Sequence, residues 1–235
     1  MGESTPTPQD GYRLDWPEVR RDWPVWILLL GSFIAGLWAY PHLPERVPIH
    51  WDVQGRPDGW GSPFWAAFGV PLLNLGVYVL MLISPLIDPK RVNYARFAGF
   101  YRGLRWLIVA FMTAVYAAAL AAGLGYSVDI ALIVPLAVGL LWIYIGNSLG
   151  RVRFNYFVGI RTPWTLADET VWQRTHRLGG RLFVVTGLLT IVALPFSRAA
   201  SFWFLLCGSL VTVIGTLVYS AVLYLRRPRA EGGEC

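Results

Sequence analysis

Apolar residues in this chain fall into six runs separated by polar connectors. The runs cover residues 23–40, 64–87, 104–124, 130–145, 182–196 and 202–225. Each approaches or exceeds the roughly 17–25 residues that cross a hydrocarbon core as helix. The expected fold is therefore all-α, a polytopic bundle of six transmembrane helices. The first run is short and follows basic residues, as a signal peptide would, but the five runs behind it favour a retained first span. Pro71, Pro85 and Pro135 lie near span ends or would kink their helices, where neighbouring helices satisfy the freed carbonyls. Small residues recur at every fourth position in two spans: Ala110, Ala114, Ala118 and Ala122 in the third, and Gly208, Thr212, Thr216 and Ser220 in the sixth. Such ridges let helix backbones approach closely, and the hydroxyls can bond across to a neighbour. No span centre holds an ionisable residue, the usual mark of a transport route.

The connectors carry patterns of their own. Residues 1–12 are polar with Pro and Gly, the composition of a disordered tail. Residues 13–22 mix arginines with Trp16 and Val19 and suit a segment lying on lipid headgroups. In the loop 41–63, Pro41, Pro44 and Pro48 fix φ. Val47, Ile49, Trp51 and Val53 then alternate with Pro48, His50 and Asp52, the two-residue period of a strand. That alternation puts His50 and Asp52 on one face, within hydrogen-bonding reach. Gly55, Pro57, Asp58 and Gly59 supply turn chemistry for the return.

The longest connector, 147–181, crowds together Arg151, Arg153, Asn155, Arg161, Thr162, Trp164, Thr165, Trp172, Thr175 and His176. Thr165 followed by Asp168 reads as a capping-box-like start, with Glu169 adding negative charge to the first turn. An interfacial helix from 166 to about 178 should follow and stop at Gly179-Gly180. On it Trp172, Thr175, His176 and Gly179 share a face, with Trp172 at headgroup depth.

Composition and charge then orient the bundle. Of 235 residues 55% are hydrophobic and 14% charged, well below the ~25% charged residues of a typical soluble domain. With Arg105 given to the nearer connector, seventeen of the twenty Lys and Arg fall on the side that holds the N-terminus, the connectors 88–103 and 147–181, and the C-terminus. The positive-inside rule makes that side cytoplasmic, which leaves 41–63 as a short structured outer loop between helices 1 and 2. The formal charge of +6 is thus a topology signal, and direct nucleic-acid binding is not expected. Two cysteines, Cys207 in an apolar run and Cys235 at the end, make neither a disulfide framework nor a zinc site.

Candidate chemistry is sparse. His50 and Asp52, with His42 or Asp58, could hold a metal or ligand, or could simply brace a cap over the helices; His-x-Asp lacks the four-ligand spacing of a zinc motif. Trp164 and Trp172 could anchor at the interface. Arg161 could bind lipid phosphate, an acidic partner or loop carbonyls. His176 could sense pH, hold a metal or bond Asn155. No HExxH, Gly-rich phosphate loop, GxSxG or Cys–His pair is present, and no cofactor is implied.

Two stretches carry a family resemblance. The outer loop YPHLPERVPIHWDVQGRPDGWGS resembles the short N-terminal domain of unknown function that accompanies the SdpI family, and NYFVGIRTPWTL, Trp172 and THRLGG resemble that family's signature. The resemblance spans nearly everything from Trp23 to Leu225, with departures at Asp52 and Pro63. It divides the chain into a cytoplasmic tail (1–22), the first two spans with their outer loop (23–87), a four-span SdpI-like region with its motif loop (88–225) and a second tail (226–235). It implies a multi-pass protein of the bacterial inner membrane that gives immunity to a secreted peptide toxin, and a receptor that sequesters a cytoplasmic repressor. The toxin-facing candidates are His50, Trp51, Asp52 and Asp58. The signature and partner-binding candidates are Asn155, Arg161, Thr162, Trp164, Thr165, Trp172, Thr175 and His176. A membrane enzyme acting on a lipid or peptide, and a small-molecule transporter, are the alternative functions.

Overall fold

The computed structural model describes residues 16–227; most of both tails, 1–15 and 228–235, lies outside the described residues. A short helix α1 (Trp16–Arg21) leads into α2 (Trp23–Ala39). A hairpin of β1 (Val47–Trp51) and β2 (Pro57–Gly61) follows. Then come α3 (Val70–Ile87), α4 (Ala98–Gly123), α5 (Ile130–Leu149), α6 (Pro163–Ala167), α7 (Glu169–Ala193) and α8 (Arg198–Leu225). Among the described residues, six helices are long and apolar enough to cross a membrane: Trp23–His42, Pro63–Ile87, Ala98–Gly123, Ile130–Leu149, Glu169–Ala193 and Arg198–Leu225.

The fifth span differs from the expected one. The predicted interfacial helix and span 182–196 are a single helix, α7, which runs straight through Gly179-Gly180. These glycines serve close packing rather than termination. A Cβ on Gly180 would lie 2.6 Å from the Gly146 carbonyl oxygen, and one on Gly146 would lie 2.5 Å from that of Gly180. Seven residues away, a Cβ on Gly187 would lie 2.5 Å from the Gly139 oxygen. The backbones of α5 and α7 therefore touch along a seam that no larger residue fits, the small-residue packing that membranes favour.

Of the two predicted stripes, that on α8 faces the bundle. Thr212, Thr216 and Ser220 are buried, and a Cβ on Gly208 would lie 2.6 Å from the Thr186 side chain. Their hydroxyls turn mainly to their own helix: Thr212 donates to the Gly208 carbonyl and Thr216 to that of Thr212, at 2.8 and 2.7 Å. Only Ser220 is reached from outside α8, by the Thr162 hydroxyl at 3.0 Å. On α4 the stripe is mixed, with Ala118 buried and Ala114 exposed.

The first three spans pack through Val25, Leu29, Tyr78, Leu82 and Val109. At their arginine-rich end is a buried ion pair that sequence patterning did not reveal. Asp22 and Arg105, both fully buried, meet at 2.7 Å. Asp22 also accepts from the Tyr78 hydroxyl at 3.0 Å and the Trp106 indole at 2.5 Å. A charge this deep is tolerable because it is paired and hydrogen-bonded.

At the other end the hairpin pairs Val47 with Gly61, Pro48 with Trp60, His50 with Gly59 and Trp51 with Pro57, with register shifts on either side of His50. Val47, 1% exposed, seats it on α4: a Cβ on Gly123 would lie 2.7 Å from the Val47 side chain.

Candidate functional site

The loop between α5 and α6 is folded by its polar side chains. Asn155, fully buried, accepts from the backbone N–H groups of Phe157 and Val158 at 2.9 and 2.7 Å, and its amide donates to the carbonyls of Arg153 and Val158. One side chain thus supplies the bonds a tight turn would otherwise lack. Asp88, just beyond α3, braces the loop from the neighbouring connector, accepting from the Tyr156 N–H at 2.9 Å and the Tyr94 hydroxyl at 3.0 Å. Burial first, and then the Asp88 charge, hold the Tyr94 phenol well above its ordinary pKa, so it remains a donor at any physiological pH. Asn93 adds a bond to the Phe154 carbonyl at 2.8 Å.

Beneath the loop, Trp172 and His176 stack with ring centroids 4.0 Å apart. Both are fully buried, so Trp172 packs inside the protein and its ring does not face lipid. Its indole donates to the Val152 carbonyl at 2.9 Å. It belongs to a core cluster with Tyr94, Phe97, Tyr101, Leu149, Val152 and Phe154. His176 does not bond Asn155. Its Nδ1 lies 2.8 Å from the Trp172 carbonyl, and its Nε2 accepts from the Ile160 N–H at 3.0 Å. An acceptor at Nε2 and a carbonyl at Nδ1 define the neutral Nδ1–H tautomer. Gly159, with φ +119°, delivers Ile160 to the ring, and a Cβ there would overlap the imidazole.

The helix start also differs from expectation. Thr162 rather than Thr165 is the cap of α6: its hydroxyl accepts from the Thr165 N–H at 3.1 Å, and the Thr165 hydroxyl accepts from the Thr162 N–H at 2.8 Å. Asp168 then opens α7, accepting from the Thr170 and Val171 N–H groups at 2.7 and 2.9 Å. Thr175 is buried in α7, and its hydroxyl meets no partner among the described residues. Trp164 is half-buried. Arg161 is exposed and donates to the Tyr156 carbonyl at 2.8 Å.

On the hairpin the expected His50–Asp52 bond is absent. His50 Nδ1 lies 2.5 Å from Asp58 on the opposing strand, because the register shifts beside His50 rotate it toward β2. Asp52 instead accepts from the Gln54 and Arg56 N–H groups at 2.9 and 2.8 Å, closing the turn around Gly55 at φ +79°. His42 lies 2.8 Å from the Trp38 carbonyl, away from both. Among the described residues no three His, Cys, Asp or Glu gather as metal ligands would.

Between β1 and the ends of α4, α5 and α8 lies a cavity of about 260 Å³. Ile49, Val115, Ala119, Ala131, Val134 and Phe202 give it apolar walls, and His50, Trp51, Asp52 and Arg198 also line it. Arg198 pairs with Asp129 at 3.2 Å. Trp51 and Asp52 are legible in the outer-loop pattern, whereas their partners in the cavity lie on three helices some 65 to 150 residues away. Asp88 and Tyr94 carry no local signal and are ordinary connector residues until the fold brings them against the Asn155 loop.

Comparison with known proteins identifies relatives of this chain. A family model described as the SdpI/YfhL protein family matches residues 151–220, and one described as a domain of unknown function (DUF1648) matches residues 27–75. A curated protein of Bacillus subtilis (strain 168), "Immunity protein SdpI", is 34% identical over 166 residues, covering 71% of this chain and 77% of its own length. No solved structure matches.

Proposed function

This chain belongs to the SdpI family, and from that premise we propose that it protects its cell against a secreted antimicrobial peptide toxin, met at the outer hairpin. It is a multi-pass protein of the bacterial cell membrane. The observation that carries the proposal is the cavity beneath the hairpin. It opens on the side with few positive charges, is walled mainly by apolar side chains and is rimmed by His50, Asp52 and Arg198. Such a site suits an apolar side chain of a peptide arriving from outside. Deleting the gene and challenging the cells with secreted peptides of neighbouring strains tests it: restored killing is expected, and unchanged survival against every peptide opposes it.

A second role, sequestration of a cytoplasmic repressor, is supported by the opposite face. Arg151, Arg153, Arg161, Arg174 and Arg177 are all exposed, while the side chains that shape their loop are turned inward. An exposed array of guanidinium groups suits an acidic protein surface. Arg153→Ala with Arg161→Ala should abolish repressor co-purification from toxin-treated cells; undiminished recovery would remove this role. Catalysis draws no support from His176, whose two ring nitrogens are both engaged inside the fold.

A further inference from the structure

Among the described residues, the arginine-rich ends of the first three spans carry more positive charge than the carboxylates beside them neutralise. Arg105 is buried against Asp22 at 2.7 Å and Glu18 at 3.3 Å. Glu18 also meets Arg102 at 3.3 Å and Arg21 at 3.7 Å. With Arg20 exposed on the same short helix, four guanidinium groups face two carboxylates among the described residues, an excess of two positive charges there. Arg105 is withdrawn into the interior, so that excess sits on Arg20, Arg21 and Arg102. Together with Trp23 and Trp106 these three line an open notch of about 420 Å³.

The position of the notch matters as much as its charge. Trp16, Trp23 and Trp26 are exposed at this end of α1 and α2, and exposed tryptophans mark the level of the headgroups. The arginine excess makes this the cytoplasmic leaflet. Guanidinium groups bind phosphate oxygens through paired donors, and basic pockets between spanning helices on this side accept anionic lipid headgroups. The two indoles give the notch apolar walls of a kind that free phosphate could not use.

We propose that this notch is a binding site for the headgroup of an anionic phospholipid, its phosphate held by Arg20, Arg21 and Arg102 and its glycerol and upper acyl carbons packed on Trp23 and Trp106. A zwitterionic lipid offers the same phosphate, but its ammonium would face the arginines. Such a lipid would fasten α1 and α2 to α4 and cover the partly exposed Glu18.

Native mass spectrometry of the full chain in micelles tests this by titration with phosphatidylglycerol, phosphatidylethanolamine and inorganic phosphate. Phosphatidylglycerol should be retained at least about tenfold better than phosphatidylethanolamine, and inorganic phosphate should not displace it. Arg20→Gln breaks none of the ion pairs above and should weaken phosphatidylglycerol binding by about fivefold; adding Arg102→Gln should bring the loss to about 25-fold. Arg56→Gln, on the hairpin, should change nothing. Equal retention of the two lipids, displacement by inorganic phosphate, or an unaltered Arg20→Gln protein would overturn the proposal.

Discussion

The backbone N–H of Ile160 donates to Nε2 of His176 at 3.0 Å, across sixteen residues of chain and inside the protein. This bond gives the histidine a structural role, since it fixes where the arginine-bearing loop lies over α7. His176→Phe keeps the stacked ring but removes the acceptor, leaving a buried N–H unsatisfied at a cost of about 1–3 kcal/mol. Equilibrium unfolding in mixed micelles should show that loss, with faster amide exchange concentrated in residues 155–162.

Glycine is required on both sides of that bond for different reasons. Gly159→Ala meets the imidazole and a left-handed backbone at once, and should cost about 1–3 kcal/mol. Gly180→Val meets the Gly146 carbonyl instead and should force α5 and α7 apart. The first variant should alter proteolysis of the loop alone; the second should lower the stability of the whole four-helix region.

Breaking the buried pair should be far worse than removing it. Asp22→Asn removes the nearer carboxylate from the buried Arg105 and leaves it Glu18 at 3.3 Å, with an expected loss of about 3 kcal/mol. Asp22→Asn combined with Arg105→Met should recover part of that loss. A double-mutant cycle on unfolding free energies checks this, and strictly additive losses would count against the pairing.

The Asp168 carboxyl sits below its ordinary pKa of 3.8, chiefly through the Val171 N–H bond, helped by the Thr170 N–H and by Arg227. A lowered folded-state pKa adds stability that is present above the ordinary value and lost as pH falls through the folded one. Amide protection at Thr170 and Val171 should therefore hold at neutral pH and fail only in strong acid. Asp168→Asn can still cap the helix and should flatten that dependence.

Much of the architecture was legible in the chain: six apolar runs, arginines sorted to one side, and a strand in the outer loop. What escaped was set by long-range contact. Gly179-Gly180 has the composition of a helix stop, yet the carbonyl of Gly146 beside it makes it a packing seam. Trp172 has the usual chemistry of an interface anchor, but Phe154, Tyr94 and Val152 enclose it. The alternation around His50 points toward Asp52 only in a regular strand; the strand here has register shifts on either side of His50, and the histidine meets Asp58. Nothing local to Asp22 announces Arg105, eighty-three positions away.

On the function proposed above, protection runs through the cavity under the hairpin. The most direct measurement is survival of cells challenged with the cognate toxin while they make either the natural chain or Ala119→Phe, which fills the cavity from α4, at matched membrane levels. The expected result is full protection by the first and a shift of about thirtyfold toward lower lethal dose for the second, as for loss of one well-buried anchor. Equal protection by a stably inserted Ala119→Phe protein would contradict it.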